Sequence, residues 1–412
     1  MQDIAIKTFR NGLKAVFVPC EAESVAFGLF VSSGSRHETA RTAGISHFIE
    51  HMLFKGTPSR KSIDITRAIE GRGGNFNACT SEEATIYYTH MPFEYLGEAV
   101  DILSDMYLNA EIDDDEFARE RKVIVEEIKM CADDPEQVVV ENLQRALFAG
   151  NQIGEPIAGT AQSLSRMVPG QLRAYMKSHY TPERTVAVVA GRFDVNEAAS
   201  LIEKLLGRTG RKSRRKPSAA ATLGKFGSVV PEITVAKDVQ QAQLALGFRT
   251  FGAADGRKYA AIVLDGILGR GMSSRLFQEV RENRALSYDI GSRISLMSDV
   301  GMFIIQAGFD ASKRDVLLST IEREIKKVCS KKVPREELDR TKEFLCGNFR
   351  LSHERLLSKL FLHGASMMRF GRIISVDEQV EAIRKVTADE VRDVANSIFR
   401  FENRSASWVL PK

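Results

Sequence analysis

At 412 residues the chain exceeds any single small module, and roughly 150 residues per domain leads to an expectation of two to three domains. Hydrophobic residues at 43%, charged residues at 27%, 30 Gly and 11 Pro describe a globular chain that buries a sizeable core, and exclude a collagenous, mucin-like or wholly disordered one. Fifty-eight Lys and Arg against 54 Asp and Glu leave a formal charge of +4, too slight for a protein built to coat nucleic acid or an anionic membrane.

The five cysteines, Cys20, Cys79, Cys131, Cys329 and Cys346, are scattered and odd in number, without C-x-x-C spacing, so neither a disulfide framework nor a cysteine zinc site is indicated. The N-terminus has no basic segment followed by an apolar stretch, and no apolar run approaches the ~20 residues that span a bilayer. The expectation is a soluble cytoplasmic protein, or one of an organelle matrix if a leader was removed.

In chain order, the run Val25 to Val31 is strand-like and leads through a polar loop into a helical segment near residues 43 to 55. Two short strands follow, Asn75 to Ala78 and Thr85 to Thr89, and the direct connection between them favours antiparallel pairing. A helix is expected over Asp115 to Met130; a later helix carrying Leu172 and Arg173 then precedes a strand from Thr185 to Ala190. Residues 207–225 break this pattern with Gly207, Gly210 and the basic run Arg208, Arg211, Lys212, Arg214, Arg215 and Lys216, then Pro217. Like charges repel and stay solvated, so the stretch reads as an exposed connector, with a nucleic-acid or acidic-partner patch as the other reading.

Beyond the connector the order repeats. A strand from Ala242 to Phe248 leads into a helix from about Arg257 to Leu268; paired strands follow over Tyr288 to Leu296 and Gly301 to Ala307, then a helix from Arg335 to Phe349. A helix with Val391 and Arg392 and a strand from Ser405 to Leu410, holding the lone Trp408 as a core residue, close the second copy. The expected fold is α+β: two homologous domains, 1–206 and 226–412, each an antiparallel or mixed sheet packed with helices.

The chemistry concentrates in the first helix, where Gly44-Ile45-Ser46-His47-Phe48-Ile49-Glu50-His51 contains the array H-x-x-E-H. Positions i and i+4 share a helix face, so His47 and His51 can reach one Zn²⁺ with Glu50 beside them, unless the pair only makes polar contacts in a packed helix. A catalytic zinc takes three protein ligands and keeps one position open. Candidates for the third lie in the carboxylate-rich helix, where Glu120 and Glu127 are seven apart on one face, while Glu126 is turned from Glu127 by about 100°.

These residues resemble the pitrilysin, insulysin and mitochondrial processing peptidase superfamily, the inverzincins of peptidase family M16, in its short two-domain form. The inverted H-x-x-E-H is followed 76 positions after His51 by Glu127 within E-R-x-V-I-x-x-E. Gly73-Gly74-Asn75-Phe76-Asn77-Ala78-Cys79-Thr80 is similar to the family's active-site edge strand, and Leu268-Gly269-Arg270-Gly271-Met272 to its second glycine-rich segment. The resemblance implies a duplicated metallohydrolase unit of the type shared by LuxS and the processing peptidases, and one zinc per chain on His47, His51 and Glu127. It further implies Glu50 as general base, Glu120 as a residue orienting a ligand or water, and Asn77 and Ala78 as substrate-binding positions.

In the second half Ala261, Leu264 and Asp265 stand opposite His47, Glu50 and His51 and cannot hold the same zinc. By resemblance Arg281 and Tyr288, in the R-x-x-x-x-x-x-Y pair, stabilise the oxyanion, although the chain departs from the family pattern nearby at Arg270 and Ala285. The implied protein is a zinc endopeptidase of peptides or unfolded, presequence-like segments working in a closed chamber. It is a homodimer or pairs with a related subunit, one subunit's C-terminal half facing the other's zinc site, and has no nucleic-acid or membrane partner. The rival is a non-catalytic scaffold or partner-binding subunit, which the intact His47, Glu50, His51 and Glu127 speak against. Cys79 reads as a small buried residue, and His37, His90, His179, His353 and His363 carry no assigned chemistry.

Overall fold

The computed structural model describes residues 4–208 and 226–412. Residues 209–225, which hold all of the expected connector except Gly207 and Arg208, lie outside the described residues.

Strands β1 (Ala5–Thr8), β2 (Lys14–Pro19), β3 (Ser24–Val31), β6 (Asn75–Thr80), β7 (Thr85–Pro92) and β8 (Thr185–Gly191) form one sheet in the order β1-β2-β8-β3-β7-β6. A separate hairpin pairs β4 (Gly56–Thr57) with β5 (Arg60–Lys61). The second sheet runs β11-β12-β10-β13-β9, from β9 (Glu232–Lys237), β10 (Ala242–Phe251), β11 (Ser287–Leu296), β12 (Val300–Phe309) and β13 (Arg404–Pro411). Both sheets are mixed, since β2 with β8 and β9 with β13 are parallel and the other pairs antiparallel. The duplicated α+β expectation describes this architecture.

Each sheet is buried on both faces, which is why its central strands read as continuous apolar runs. Side chains alternate across a strand, so Val25, Phe27, Leu29 and Val31 enter one core while Ala26 and Phe30 enter another. The first core lies under α1 (Ile45–Leu53), α2 (Ser62–Glu70), α3 (Leu96–Asn109), α4 (Asp114–Asp133), α7 (Pro169–His179) and α8 (Val195–Ile202), with the short α6 (Ala161–Ser165) contributing Leu164. The opposite face is covered by α12 (Leu356–Phe370), through Leu360 and Met367. Here Gly364 is required, because a Cβ would sit 2.4 Å from the Phe30 ring.

In the second sheet, α9 (Lys258–Gly269), α10 (Arg314–Ser330), α11 (Arg335–Glu354), α13 (Val376–Lys385) and α14 (Ala388–Ile398) cover the face carrying Leu244, Leu246, Phe303 and the fully buried Trp408. The helix α5 (Pro135–Leu147) covers the other face, carrying Ala245, Ile304 and Val409. Two compact units result, and neither is one contiguous stretch. The first takes the described residues of Met1–Ile128, Glu155–Ala221 and Ser352–Ile374; the second takes those of Lys129–Gly154, Thr222–Leu351 and Ser375–Lys412. The division expected at 207–225 therefore differs from these units at two segments, the one holding α5 and the one holding α12. Each of these helices buries an apolar stripe on the sheet of the other copy.

Candidate metal centre

Helix α1 is fixed before any metal is considered. Ile45, Phe48, Ile49, Met52 and Leu53 are buried, and Phe48 stacks on Phe117 of α4 with ring centroids 4.5 Å apart and planes 7° apart. Phe117 is the first of a series at 117, 120, 124 and 127 that lies along one face of α4, because three- and four-residue steps return to the same side of a helix. Phe117 and Ile124 seal the core. Glu120 and Glu127 are thereby carried to the polar side of α1.

There, His47, His51 and Glu127 offer donor atoms that all lie within 4.8 Å of one another, among the described residues the one group of three or more such side chains. His51 Nε2 is 3.4 Å from Glu127 Oε2 and His47 Nε2 is 3.7 Å from Glu127 Oε1. Ligands about 2.0–2.2 Å from a tetrahedral zinc are about 3.3–3.6 Å from each other; 3.4 Å lies in that range and 3.7 Å just beyond it, and the nitrogen and oxygen donor set is one that Zn²⁺ takes. Burial, and secondarily His51, push the His47 imidazole down to about 4, which keeps it in the neutral form that a metal ligand needs.

The surrounding groups orient this set. Glu120, 5% exposed, lies with Oε2 3.1 Å from His51 Nδ1, and its other oxygen is ion-paired with Lys55. That places the His51 proton on Nδ1 and leaves Nε2 to face Glu127. Glu50 Oε2 accepts a hydrogen bond from the Thr80 hydroxyl of β6. Burial raises the Glu50 carboxyl above its ordinary value, Glu127 adds to this, and the Thr80 hydroxyl and His51 oppose it. Lys55 and Thr80 escaped the sequence reading, because their distances from Glu120 and Glu50 along the chain follow no local periodicity. Glu126 is exposed.

Asn77 and Ala78 sit on β6, the edge strand of the first sheet, opposite Tyr88 and Tyr87 of β7. The Ala78 amide donates to the side-chain carbonyl of its neighbour Asn77 at 2.8 Å. Cys79 corrects the sequence expectation: it is exposed, because the alternation along an edge strand puts it on the open face.

Arg281 and Tyr288 lie in the second unit and are brought together there. The Arg281 guanidinium stands 4.5 Å from the Tyr288 ring centroid and 4.8 Å from that of Phe277. Tyr288 is 76% exposed, and the pair borders a cavity of about 420 Å³ that also reaches Gln241, Asp310 and Lys313. Between them Ala285 adopts φ 47, a left-handed conformation that costs an L-residue about 1–2 kcal/mol, and Lys313 donates to its carbonyl at 3.1 Å. Opposite His47, Glu50 and His51 of the first half, Ala261, Leu264 and Asp265 are completely buried. Asp265 accepts a 2.6 Å hydrogen bond from Ser292 and lies 3.4 Å from the Arg270 guanidinium, so its carboxylate ties α9 to β11.

Fold and donor set together define a class: a duplicated α+β chain in which one copy presents two imidazoles and a carboxylate around a metal-sized space, and the other has filled the equivalent place with core residues. Residues 19–161 match the family described as insulinase, peptidase family M16, and residues 166–345 match the M16 inactive domain. The chain belongs to peptidase family M16. It is 35% identical over 393 residues to an uncharacterized zinc protease of Bacillus subtilis, YmxG, covering 95% of both chains. An uncharacterized zinc protease of Rickettsia felis is 33% identical over 409 residues, with 98% of this chain and 97% of that one covered. A protease from Helicobacter pylori shares the fold with TM-score 0.93 at 20% identity, over 99% of each chain. A putative M16-like peptidase from Alicyclobacillus acidocaldarius does so with TM-score 0.89 at 21% identity, over 100% of this chain and 98% of that one. Among the described residues no helix is long and apolar enough to cross a membrane.

Proposed function

We propose that the chain is a zinc-dependent endopeptidase that cleaves peptides or unfolded, presequence-like segments in a closed chamber. The observation that carries this reading is the convergence of His47, His51 and Glu127 donor atoms within 4.8 Å beside a Glu50 that is not one of them. Zinc on those three residues would polarise the scissile carbonyl and lower the pKa of water toward ~7. Glu50, held at Oε2 by Thr80, takes the proton of the attacking water and returns it to the leaving amine. Glu120 and Lys55 hold His51 in the tautomer that coordinates through Nε2. The open edge of β6 at Asn77 and Ala78 aligns an extended peptide as an added strand.

The reading includes a dimer with a second copy or a related subunit, in which Arg281 and Tyr288 supply donors to the developing oxyanion. Their stacked arrangement supports a shared role, since the guanidinium and the phenol are presented as one unit. The test is metal content together with cleavage of a fluorogenic peptide. Purified protein should carry about one zinc per chain and lose cleavage to a chelator, with activity restored by added Zn²⁺. Zinc-loaded protein that cleaves none of a panel of unstructured peptides would favour the scaffold role instead.

A further inference from the structure

Helix α1 begins without a cap of its own. Gly44 precedes its first residue with φ 93, and a Cβ there would lie 2.5 Å from the Ala158 carbonyl oxygen, so the position demands glycine and forgoes a capping side chain. Two of the amides at this end are nevertheless taken up by a side chain from elsewhere in the chain. Glu38, 6% exposed, accepts the Gly44 amide on Oε2 at 2.7 Å and the Ser46 amide on Oε1 at 2.8 Å. Both oxygens of one carboxylate are thus spent on the two amides that flank Ile45, immediately before His47.

The anchor continues inward. The Ser46 hydroxyl is 3.3 Å from the Tyr175 hydroxyl, which is 3.1 Å from that of Ser33. The Ser33 carbonyl accepts from Thr85 of β7 at 2.9 Å, so the first turn of α1 is tied to the sheet that carries β6. A buried carboxylate is costly unless it is hydrogen-bonded, and an anion at a helix N-terminus is favoured by the aligned peptide dipoles. Burial raises the Glu38 carboxyl to about 7 against the pull of the two amides.

We infer that Glu38 is a positioning residue for the metal centre: by gripping the Gly44 and Ser46 amides it sets the rotation and axial placement of α1, and with them the aim of His47, Glu50 and His51. This rests on the zinc peptidase reading above. A mere stabilising cap would change how firmly the chain folds and leave the folded site unaltered, whereas a positioning residue changes the site itself.

The test compares Glu38→Gln with wild type. The amide keeps the shape but turns an NH₂ toward one of the two backbone donors. Zinc dissociation constants come from competition with a chromophoric chelator, and ligand geometry from the visible absorption of the Co²⁺ form. The zinc dissociation constant should rise about tenfold or more, with shifted Co²⁺ bands and a kcat lowered by a similar factor while KM stays within about twofold. Wild-type zinc affinity and Co²⁺ bands, with only a lower melting temperature, would overturn the inference. Should Glu38→Gln fail to fold, Glu38→Asp keeps the charge but falls a methylene short of spanning both amides, and is held to the same outcomes. A wild-type chain that binds neither metal removes the peptidase reading and this inference with it. A zinc-loaded, active wild type matched by its Glu38 variant removes the inference alone.

Discussion

Glu120 Oε2 stands 3.1 Å from His51 Nδ1, and its second oxygen is ion-paired with Lys55. The nearly buried carboxylate faces Nδ1 and leaves Nε2 of His51 on the side of Glu127. Glu120→Gln should loosen that choice. A zinc dissociation constant about 10- to 100-fold weaker is expected, with the fold retained. Chelator competition on the two proteins measures it, and equal affinities would reduce Glu120 to packing.

The Glu50 carboxyl is the group proposed to move the proton, and it is not needed for coordination. Glu50→Gln should keep stoichiometric zinc and lose about 10²–10⁴-fold in kcat, since an amide cannot accept the proton. Peptide cleavage measured alongside metal content separates the two effects. Parental turnover in this variant would end the general-base assignment.

Glu126 and Glu127 are sequence neighbours, yet only Glu127 reaches the imidazoles. Removing an anionic ligand leaves two neutral rings to hold a dication, so Glu127→Gln should lose zinc during dialysis under conditions in which Glu126→Gln keeps it. Equal metal content in the two purified variants would contradict the placement.

His363 is buried in α12, and among the described residues neither of its ring nitrogens has a hydrogen-bond partner. Its ring lies edge-on to His353 with centroids 5.3 Å apart. Burial, then the charges of His353 and Lys359, push its imidazole from 6.5 down to about 4. Between those two values the unfolded chain takes up a proton that the folded chain refuses. Stability is therefore intact above pH 6.5 and falls as the pH drops toward 4, at up to about 1.4 kcal/mol per pH unit from this group. His363→Leu deletes two unsatisfied nitrogens at similar volume, so denaturant unfolding as a function of pH should show a shallower acid slope at undiminished neutral stability. An unchanged slope would mean that His363 does not titrate on unfolding.

His51 and Arg281 belong to different units, and the proposed dimer has each active site draw on both subunits. His51→Ala and Arg281→Ala proteins should each be nearly inactive alone. Randomly formed dimers are half mixed, and each mixed dimer has one intact site of two, so co-expression should restore about a quarter of wild-type activity. Native mass spectrometry establishes that mixed dimers are present. Confirmed mixed dimers as inactive as the parents would place the whole site within one chain.

What the sequence by itself determined is what short-range periodicity encodes. The i, i+4 spacing of His47 and His51, the shared face of Glu120 and Glu127, and the near-continuous apolar runs at Val25 to Val31 and Ala242 to Phe248 are helix and strand geometry written locally. The duplicated order of elements and the loss of the metal array at Ala261, Leu264 and Asp265 were legible for the same reason. Only the tertiary structure decided which distant residues meet. Lys55 at Glu120, Thr80 at Glu50 and Glu38 under the first turn of α1 depend on the stacking of Phe48 on Phe117 and on the position of β6 at the sheet edge, and no local pattern announces them. The exchange of α5 and α12 between the two units is of the same kind. A sheet apolar on both faces needs a second cover, and the sequence shows that the stripe on each helix is apolar without saying which sheet it will bury.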